Sequence, residues 1–513
     1  KAEYAEAWVA MGAYAASGDE ATRSSLGVAL YARYVECATA SLPDVAIAIE
    51  RHARAEGLTS EAVMRSANVS LFAGVRGIVG EFLSSAWIGA FLDSDEGAAM
   101  SAAAAVSREY LPLLEVALAT SWVGADDMPN AAPEAGIVSA GELVDALPEY
   151  VTALEASVAV AGADLSLLHM QQVYELVDAL WGHASSVIDG YGAPDGPAAG
   201  QSALSLPSPE AKALEVYHDS VKRTTQLSEW LARAVSAAVE AHANAAGNEL
   251  DGAEVLLEQL FAALSGCQLS TAAQHALALR DFRLATVLAQ TPGSPTNTAD
   301  VAAQLALWRE LGADKYVAPK LFRIYALLAG DAVTTAAGLD WKRALGLQLW
   351  FGSAPNATIA SVLDAYTREW RNPTLDLVAP PLAHYLESGA VAPEANSAAE
   401  AAAAVAALAD EPARLDTAYH LLHLYCGEGG DALEKVLLPT TASQWGLDER
   451  MPWTLYRILR GLGYADLRPA QAYKLHGSFA AQLENVGLWE WGVFVLLHLP
   501  EGERRRAAVL ALL

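Results

Sequence analysis

Residues 254–264 read EVLLEQLFAAL. Leu256, Leu257, Leu260, Phe261 and Leu264 recur there at steps of three and four, which places them on one face of a helix. The same rhythm extends outward. Residues 301–311, VAAQLALWREL, put Leu305 and Trp308 on one side, with Asp300 as the expected N-cap and Gly312 as the expected stop. Pro319 to Leu328 opens with proline near a first turn and should bury Leu321, Ile324, Tyr325 and Leu328. The pattern of helix, short turn, helix then repeats along the chain.

Composition agrees with this reading. Hydrophobic residues make up 53% of the 513, enough for a large core. Alanine, leucine and glutamate dominate, and these lose little rotamer freedom in a helix. Strand-like alternation and Asn-Gly turns are missing, so the fold class is all-α. No strict repeat period stands out, which favours an irregular α-solenoid over tetratricopeptide or ankyrin arrays. Breaks are expected at Asp126–Gly141, Asp189–Pro209, Thr291–Asp300 and Glu387–Ser397, where Gly and Pro cluster. Leu488–Leu499, LWEWGVFVLLHL, is apolar nearly all round and should be covered on several sides.

The formal net charge of -29 repels phosphate backbones and anionic lipid, which argues against direct nucleic-acid or membrane contact. Cys37, Cys267 and Cys426 are odd in number and far apart, so neither a disulfide framework nor a zinc ribbon is indicated, and a reducing compartment fits. No apolar run approaches the roughly 20 residues needed to span a bilayer. The chain opens on Lys1 inside a helix-like pattern, and further sequence is expected upstream.

Motifs for chemistry are scarce. HExxH, paired CxxC, GxxxxGK[ST] and GxSxG are all lacking. Gly190-Tyr191-Gly192 with Gly196 has the wrong spacing for a phosphate cradle and sits in a Pro-rich break. His420, His423 and Cys426 follow one another at three-residue steps, but in the apolar context YHLLHLYC they read as packed histidines rather than metal ligands. No catalytic, cofactor-binding or metal residues are therefore expected. The tryptophans that gather in the second half read as interface anchors or as helix–helix core, and their apolar positions favour core.

From about Lys222 to Leu513 the chain resembles the nucleoporin-96 family, the C-terminal half of the nucleoporin 98–96 precursor, also known as the nucleoporin-145C family. The landmarks are KRTTQLSEWL (Lys222–Leu231), AALSGCQLSTAAQHALALRDFRLATVLAQ (Ala262–Gln290), LFRIYALLAGD (Leu321–Asp331), LDWKRALGLQLWF (Leu339–Phe351), PPLAHYL (Pro380–Leu386), YHLLHLY (Tyr419–Tyr425) and AAQLENVGLWEWGVFVLLHL (Ala480–Leu499). Any one is a generic apolar helix, whereas the ordered set is specific. Its motif residues, expected in the core, are Trp230, Leu321, Tyr325, Leu339, Asp340, Trp341, Trp350, Tyr419, Leu422, Trp489, Trp491 and Phe494.

The resemblance implies a fold-back α-solenoid of the ancestral coatomer element type, with trunk, crown and tail. Linker positions suggest modules 1–210, 211–375 and 376–513 within one helical domain. It implies a structural scaffold in the Y-shaped outer-ring complex of the nuclear pore, at the nuclear envelope, supporting protein and mRNA transport without a cofactor. Implied partners are a nucleoporin-107/84 relative at the crown, nucleoporin-85 and nucleoporin-160/120 relatives at the tail, and a β-propeller shared with the COPII coat. The propeller contact would use an upstream strand segment, and nothing strand-like precedes Tyr4. The family's self-cleaving domain is not in this stretch, and its tail is expected to continue past Leu513. The alternative is a COPII-like vesicle-coat cage protein of the same helical fold.

Overall fold

A computed structural model describes residues 109–124, 134–161, 164–183, 209–250, 252–290, 295–372, 377–387, 405, 407–427, 431–464 and 467–513. The chain divides into two compact units, Lys1–Arg108 and Glu109–Leu513, and every described residue lies in the second. Expectations about Tyr4, Cys37 and the Asp189–Ser208 break lie outside the described residues.

The outgoing leg begins with helix α1 over 109–119. It continues through strands β1 (Ser121–Gly124) and β2 (Glu134–Ile137), then α2 (Ala140–Ala161), α3 (Leu165–Trp181), α4 (Pro209–Ala234), α5 (Ser236–Glu249), α6 (Ala253–Leu264), α7 (Leu269–Ala278) and α8 (Phe282–Leu288). The returning leg comprises α9 (Pro295–Glu310), α10 (Pro319–Leu328), α11 (Ala332–Thr335), α12 (Trp341–Leu347), α13 (Ile359–Trp370), α14 (His384–Glu387), α15 (Thr417–Tyr425), α16 (Ala432–Val436), α17 (Arg450–Gly461), α18 (Pro469–Asn485), α19 (Trp489–Leu496) and α20 (Gly502–Leu512).

The contacts between the legs are nested. α6 packs on α10, α4 on α12 and α13, α3 on α15, and α2 on α17. Each step back along the outgoing leg meets a step forward along the returning one. The chain thus goes out to a reversal near residue 290 and comes back alongside itself, burying an apolar seam between its legs.

Local rules explain most elements. Asp164, Asp281, Asp331, Asp340, Thr358 and Asp416 cap their helices with side-chain oxygens. α6 buries Leu257, Leu260, Phe261 and Leu264, with Leu256 half-buried. Gly312 takes the left-handed conformation expected of a stop residue, with φ at 67°. α10 spans the residues read for it; Ile324 and Leu328 are buried, while Leu321 and Tyr325 are half-buried.

Three expectations are corrected. Asp300 is not an N-cap, because α9 already starts at Pro295, whose fixed φ suits a first turn. The apolar segment at 488–499 is not covered all round, because Trp489 opens α19 and stays 45% exposed. Only the Phe494, Val495 and Leu496 side of that helix is buried, against α18 and α20. The break at Asp126–Gly141 contains a strand, β2, which pairs antiparallel with β1 just before it. Trp122 faces Gly136 in that pair, and a Cβ added at Gly136 would lie 2.2 Å from the indole. The missing side chain is what lets the ring lie across the hairpin. Trp122 is half-exposed and its indole end can be pushed outward, so Gly136→Ala should cost at most about 1 kcal/mol, the strain of an off-rotamer ring. The check is a denaturant titration; an unchanged midpoint would mean that the indole can swing away freely.

Candidate functional site: the seam and the reversal

Several long polar side chains tie the legs together. Arg457 on α17 is buried and donates to the carbonyls of Ala117 (2.9 Å) and Thr120 (3.3 Å), to Ser121 Oγ (2.7 Å) and to Tyr150 Oη (3.3 Å). Burial lowers its pKa from the ordinary guanidinium value, with the Tyr150 hydroxyl opposing. Arg450 pairs with Glu109 at 3.0 Å and Asp448 at 2.8 Å. Lys342 Nζ reaches back from α12 to Gln172 Oε1 on α3, 2.8 Å. Arg343 donates to Ser265 Oγ and, at 2.8 Å, to His242 Nδ1. His242 then donates from Nε2 to Glu258, 3.0 Å, and Glu258 also receives Lys320 at 3.1 Å. These bonds fix which helix layer faces which, because a buried polar group left without its partner is costly.

The motif residues are spread along this unit in four groups. Trp230 is fully buried in α4 and donates to the Gln172 carbonyl (2.8 Å), and Trp350, at the π-turn Gln348–Gly352, donates to Ser228 Oγ (2.8 Å). Trp341 and Tyr419 are buried and meet edge-on, 6.4 Å between centroids, with Leu339 and Leu422 also buried and Asp340 capping α12. Trp370 and Tyr366 approach the same Tyr419 ring, at 6.3 and 6.4 Å. Phe494 is buried and Trp491 half-buried, 5.9 Å apart, while Trp489 faces solvent. Leu321 and Tyr325 lie half-buried in α10, where Tyr325 meets Trp308 edge-on at 5.6 Å.

Trp453, one of the second-half tryptophans read as core, is fully buried and touches Phe479, Phe494, His476 and His498, partners that sequence reading did not name. Sequence reading missed Arg457 altogether. The partners of both are tens to hundreds of residues away, and no local spacing signals them.

The histidines are engaged in packing. His420 donates from Nε2 to the Pro412 carbonyl at 2.8 Å, and His423 stands edge-on to Tyr419. Among the described residues no group of His, Cys, Asp and Glu is placed to hold a metal ion. His476 accepts from Trp453 Nε1 at 2.9 Å, and His498 donates from Nδ1 to the Phe494 carbonyl at 3.0 Å. Burial drives His420 down to about 4, His476 down to about 3 and His498 well below the ordinary range. Lowered values mean the unfolded chain takes up protons that the folded one refuses. Stability is thus full above pH 6.5 and is lost as pH falls through it. At pH 5.5 each of these histidines should cost about 1.4 kcal/mol. Urea titrations at pH 7.5 and 5.5 read this directly, and equal unfolding energies would contradict neutral burial.

A groove of about 940 Å³ runs between α4 and the loop 349–358. It is lined by Tyr217, Thr224, Ser228, Trp350, Pro355 and their neighbours, with no acid, base or thiol among them. It offers apolar and hydroxyl surface for packing.

Large apolar side chains are exposed around the reversal. Leu277, Phe282 (68%), Leu307, Leu311 (71%) and Tyr316 (92%) fall within 40 residues on α7, α8, α9 and the turn after it. Isolated exposed leucines need no explanation, but several large apolar side chains exposed within one short stretch are the kind of surface a protein contact would use. The fold and its polar ties therefore define a structural, helix-built protein whose working parts are surfaces.

Comparison with known proteins gives the family. The Nuclear protein 96 family profile matches residues 258–513. The chain is 32% identical to Nuclear pore complex protein Nup98-Nup96 of Drosophila melanogaster over 265 residues, covering 50% of this chain and 12% of that protein. It is 28% identical to Nuclear pore complex protein NUP96 of Arabidopsis thaliana over 378 residues, 70% of this chain and 33% of that protein. With Nuclear pore complex protein Nup98-Nup96 of Dictyostelium discoideum it shares 26% identity over 293 residues, 56% of this chain and 14% of that protein. The matched stretch is thus a third or less of each relative's length. The chain belongs to the nucleoporin-96 family, a family of structural nuclear-pore proteins and not of enzymes. Its place is the nuclear pore, in the nuclear envelope.

Proposed function

We propose that this chain is a scaffold element of the Y-shaped outer-ring complex, holding partners at fixed angles and so supporting pore assembly and the passage of protein and mRNA. The observation that carries this reading is the nested pairing of the two legs, from α6 with α10 down to α2 with α17. Such pairing fixes each layer of one leg against a layer of the other. It suits the fold-back α-solenoid of the ancestral coatomer element, with a first trunk part at 1–210, crown and return at 211–375, and a second trunk part with the start of the tail at 376–513. The crown would be the reversal, and its exposed Phe282, Leu311 and Tyr316 would cover the contact with a nucleoporin-107/84 relative. Nucleoporin-85 and nucleoporin-160/120 relatives would meet the tail, and a β-propeller would dock through sequence upstream.

The test is a pull-down from nuclear-envelope extract with the purified chain. Recovery of outer-ring nucleoporins without COPII cage subunits supports the proposal. Recovery of the reverse set would favour the vesicle-coat alternative instead.

A further inference from the structure

Where α3 meets α12, α14 and α15, ionisable groups are buried together. The rings of His169 and His384 stack with centroids 4.2 Å apart and planes 24° from parallel. Neither ring nitrogen of His169, nor Nδ1 of His384, has a hydrogen-bond partner among the described residues. Asp416 is wholly buried. Its Oδ1 caps α15 by accepting from the Ala418 N–H at 2.8 Å and lies 3.8 Å from His169 Nε2, while Oδ2 is without a partner. The charged and titratable groups around them are Lys342 from α12, held by Gln172; Asp164 at the N-terminus of α3; Tyr385 beside His384; and His420 on α15, turned to Pro412.

The segment carrying His384 is short, and few main-chain bonds tie it to its neighbour. It joins its neighbour by the bridge Leu382–Leu415 and by two backbone bonds, Ala383 N–H to the Arg414 carbonyl and Asp416 N–H to the Pro381 carbonyl, each 2.9 Å. These bonds are buried, and the Tyr385 hydroxyl adds one to the Thr440 carbonyl (2.6 Å) while the Tyr366 hydroxyl adds one to the Ala379 carbonyl (2.7 Å), so opening the segment breaks a handful of hydrogen bonds and not the whole fold.

We propose that His169, His384 and Asp416 form a proton-operated latch between α3 and the returning segment 377–387. It is closed while both imidazoles are neutral and released when they take up protons. Two stacked imidazolium rings at this distance repel each other, and Asp416 can compensate only one of them while Lys342 adds a further positive charge. Burial, then Lys342, lowers His169 well below its ordinary range; burial, then His169, lowers His384 to about 3. Once opened, both rings return to the ordinary value near 6.5, so the closed form is favoured above that pH and loses ground below it. Asp416 acts the other way, because burial raises its carboxyl and the closed form then binds a proton more readily than the open one.

Hydrogen exchange on the intact chain at pH 7.5 and 5.5, corrected for intrinsic rates, tests this. Protection across 377–387 and the facing turn of α3 should fall about tenfold per imidazole released, with α10 unchanged. In the His169→Phe/His384→Phe variant, which keeps the stacked rings and removes the protons, that drop should vanish. The single variant His384→Phe should leave about one tenfold step, and it decides the matter if the double variant does not fold. Equal pH dependence in wild type and variants, or an unchanged wild type, would overturn the latch.

Discussion

Trp341→Ala should unfold the middle of the seam rather than weaken one contact. Trp341 is fully buried, and its ring meets Tyr419, which also receives Tyr366, Trp370 and His423 edge-on. Truncating it opens a cavity between α12 and α15 and removes the ring that anchors this aromatic cluster. Phe- or Trp-sized deletions of this kind cost about 3–5 kcal/mol. Its Nε1 has no hydrogen-bond partner among the described residues, so no lost hydrogen bond offsets or adds to that figure. Chemical denaturation with circular dichroism should show a lowered midpoint. A variant that kept its midpoint and lost only a partner would place Trp341 on a working surface instead.

Arg457→Ala should come next, at about 3 kcal/mol, and its effect should fall on the far end of the seam. Arg457 is the main polar tie between α17 and the stretch from α1 to β1. The carbonyls it leaves are not orphaned, because Ala117 still accepts from Ser121 Oγ and Thr120 from the Val138 N–H. The loss is thus of charge-assisted bonds and of the volume beside Trp453, over whose ring the guanidinium sits at 5.4 Å. Hydrogen exchange should rise in 109–124 and α17, with α6 and α10 protected as before. Uniform destabilisation across the unit would argue against a local tie.

The helices were legible because the apolar spacing at 254–264 and the proline at 319 act within one or two turns, as do caps such as Asp340. The choice between core and surface was harder. Trp341 and Trp489 each open a helix, yet Trp341 is buried against Tyr419 of α15 while Trp489 stays 45% exposed, because what covers a first-turn residue is an element distant in sequence. The pairing of the legs was not legible at all from the residues themselves. Glu109 meets Arg450 and Gln172 meets Lys342 across most of the unit, and nothing in their local sequence announces it. The β1–β2 pair escaped for a related reason: its signal is a cross-strand Trp over a Gly, visible only once the register is known. The fold-back and the partner surfaces entered through the family resemblance.

The exposed reversal is where a scaffold of this form would carry its load. A Leu311→Asp/Tyr316→Asp variant places charge on two side chains that solvent already reaches, so its melting temperature should match wild type. The decisive measurement is the amount of each nucleoporin recovered from nuclear-envelope extract by this variant and by wild type side by side. The crown partner should be lost from the variant at least tenfold. Equal recovery, with both chains folded, would contradict a contact surface at the reversal.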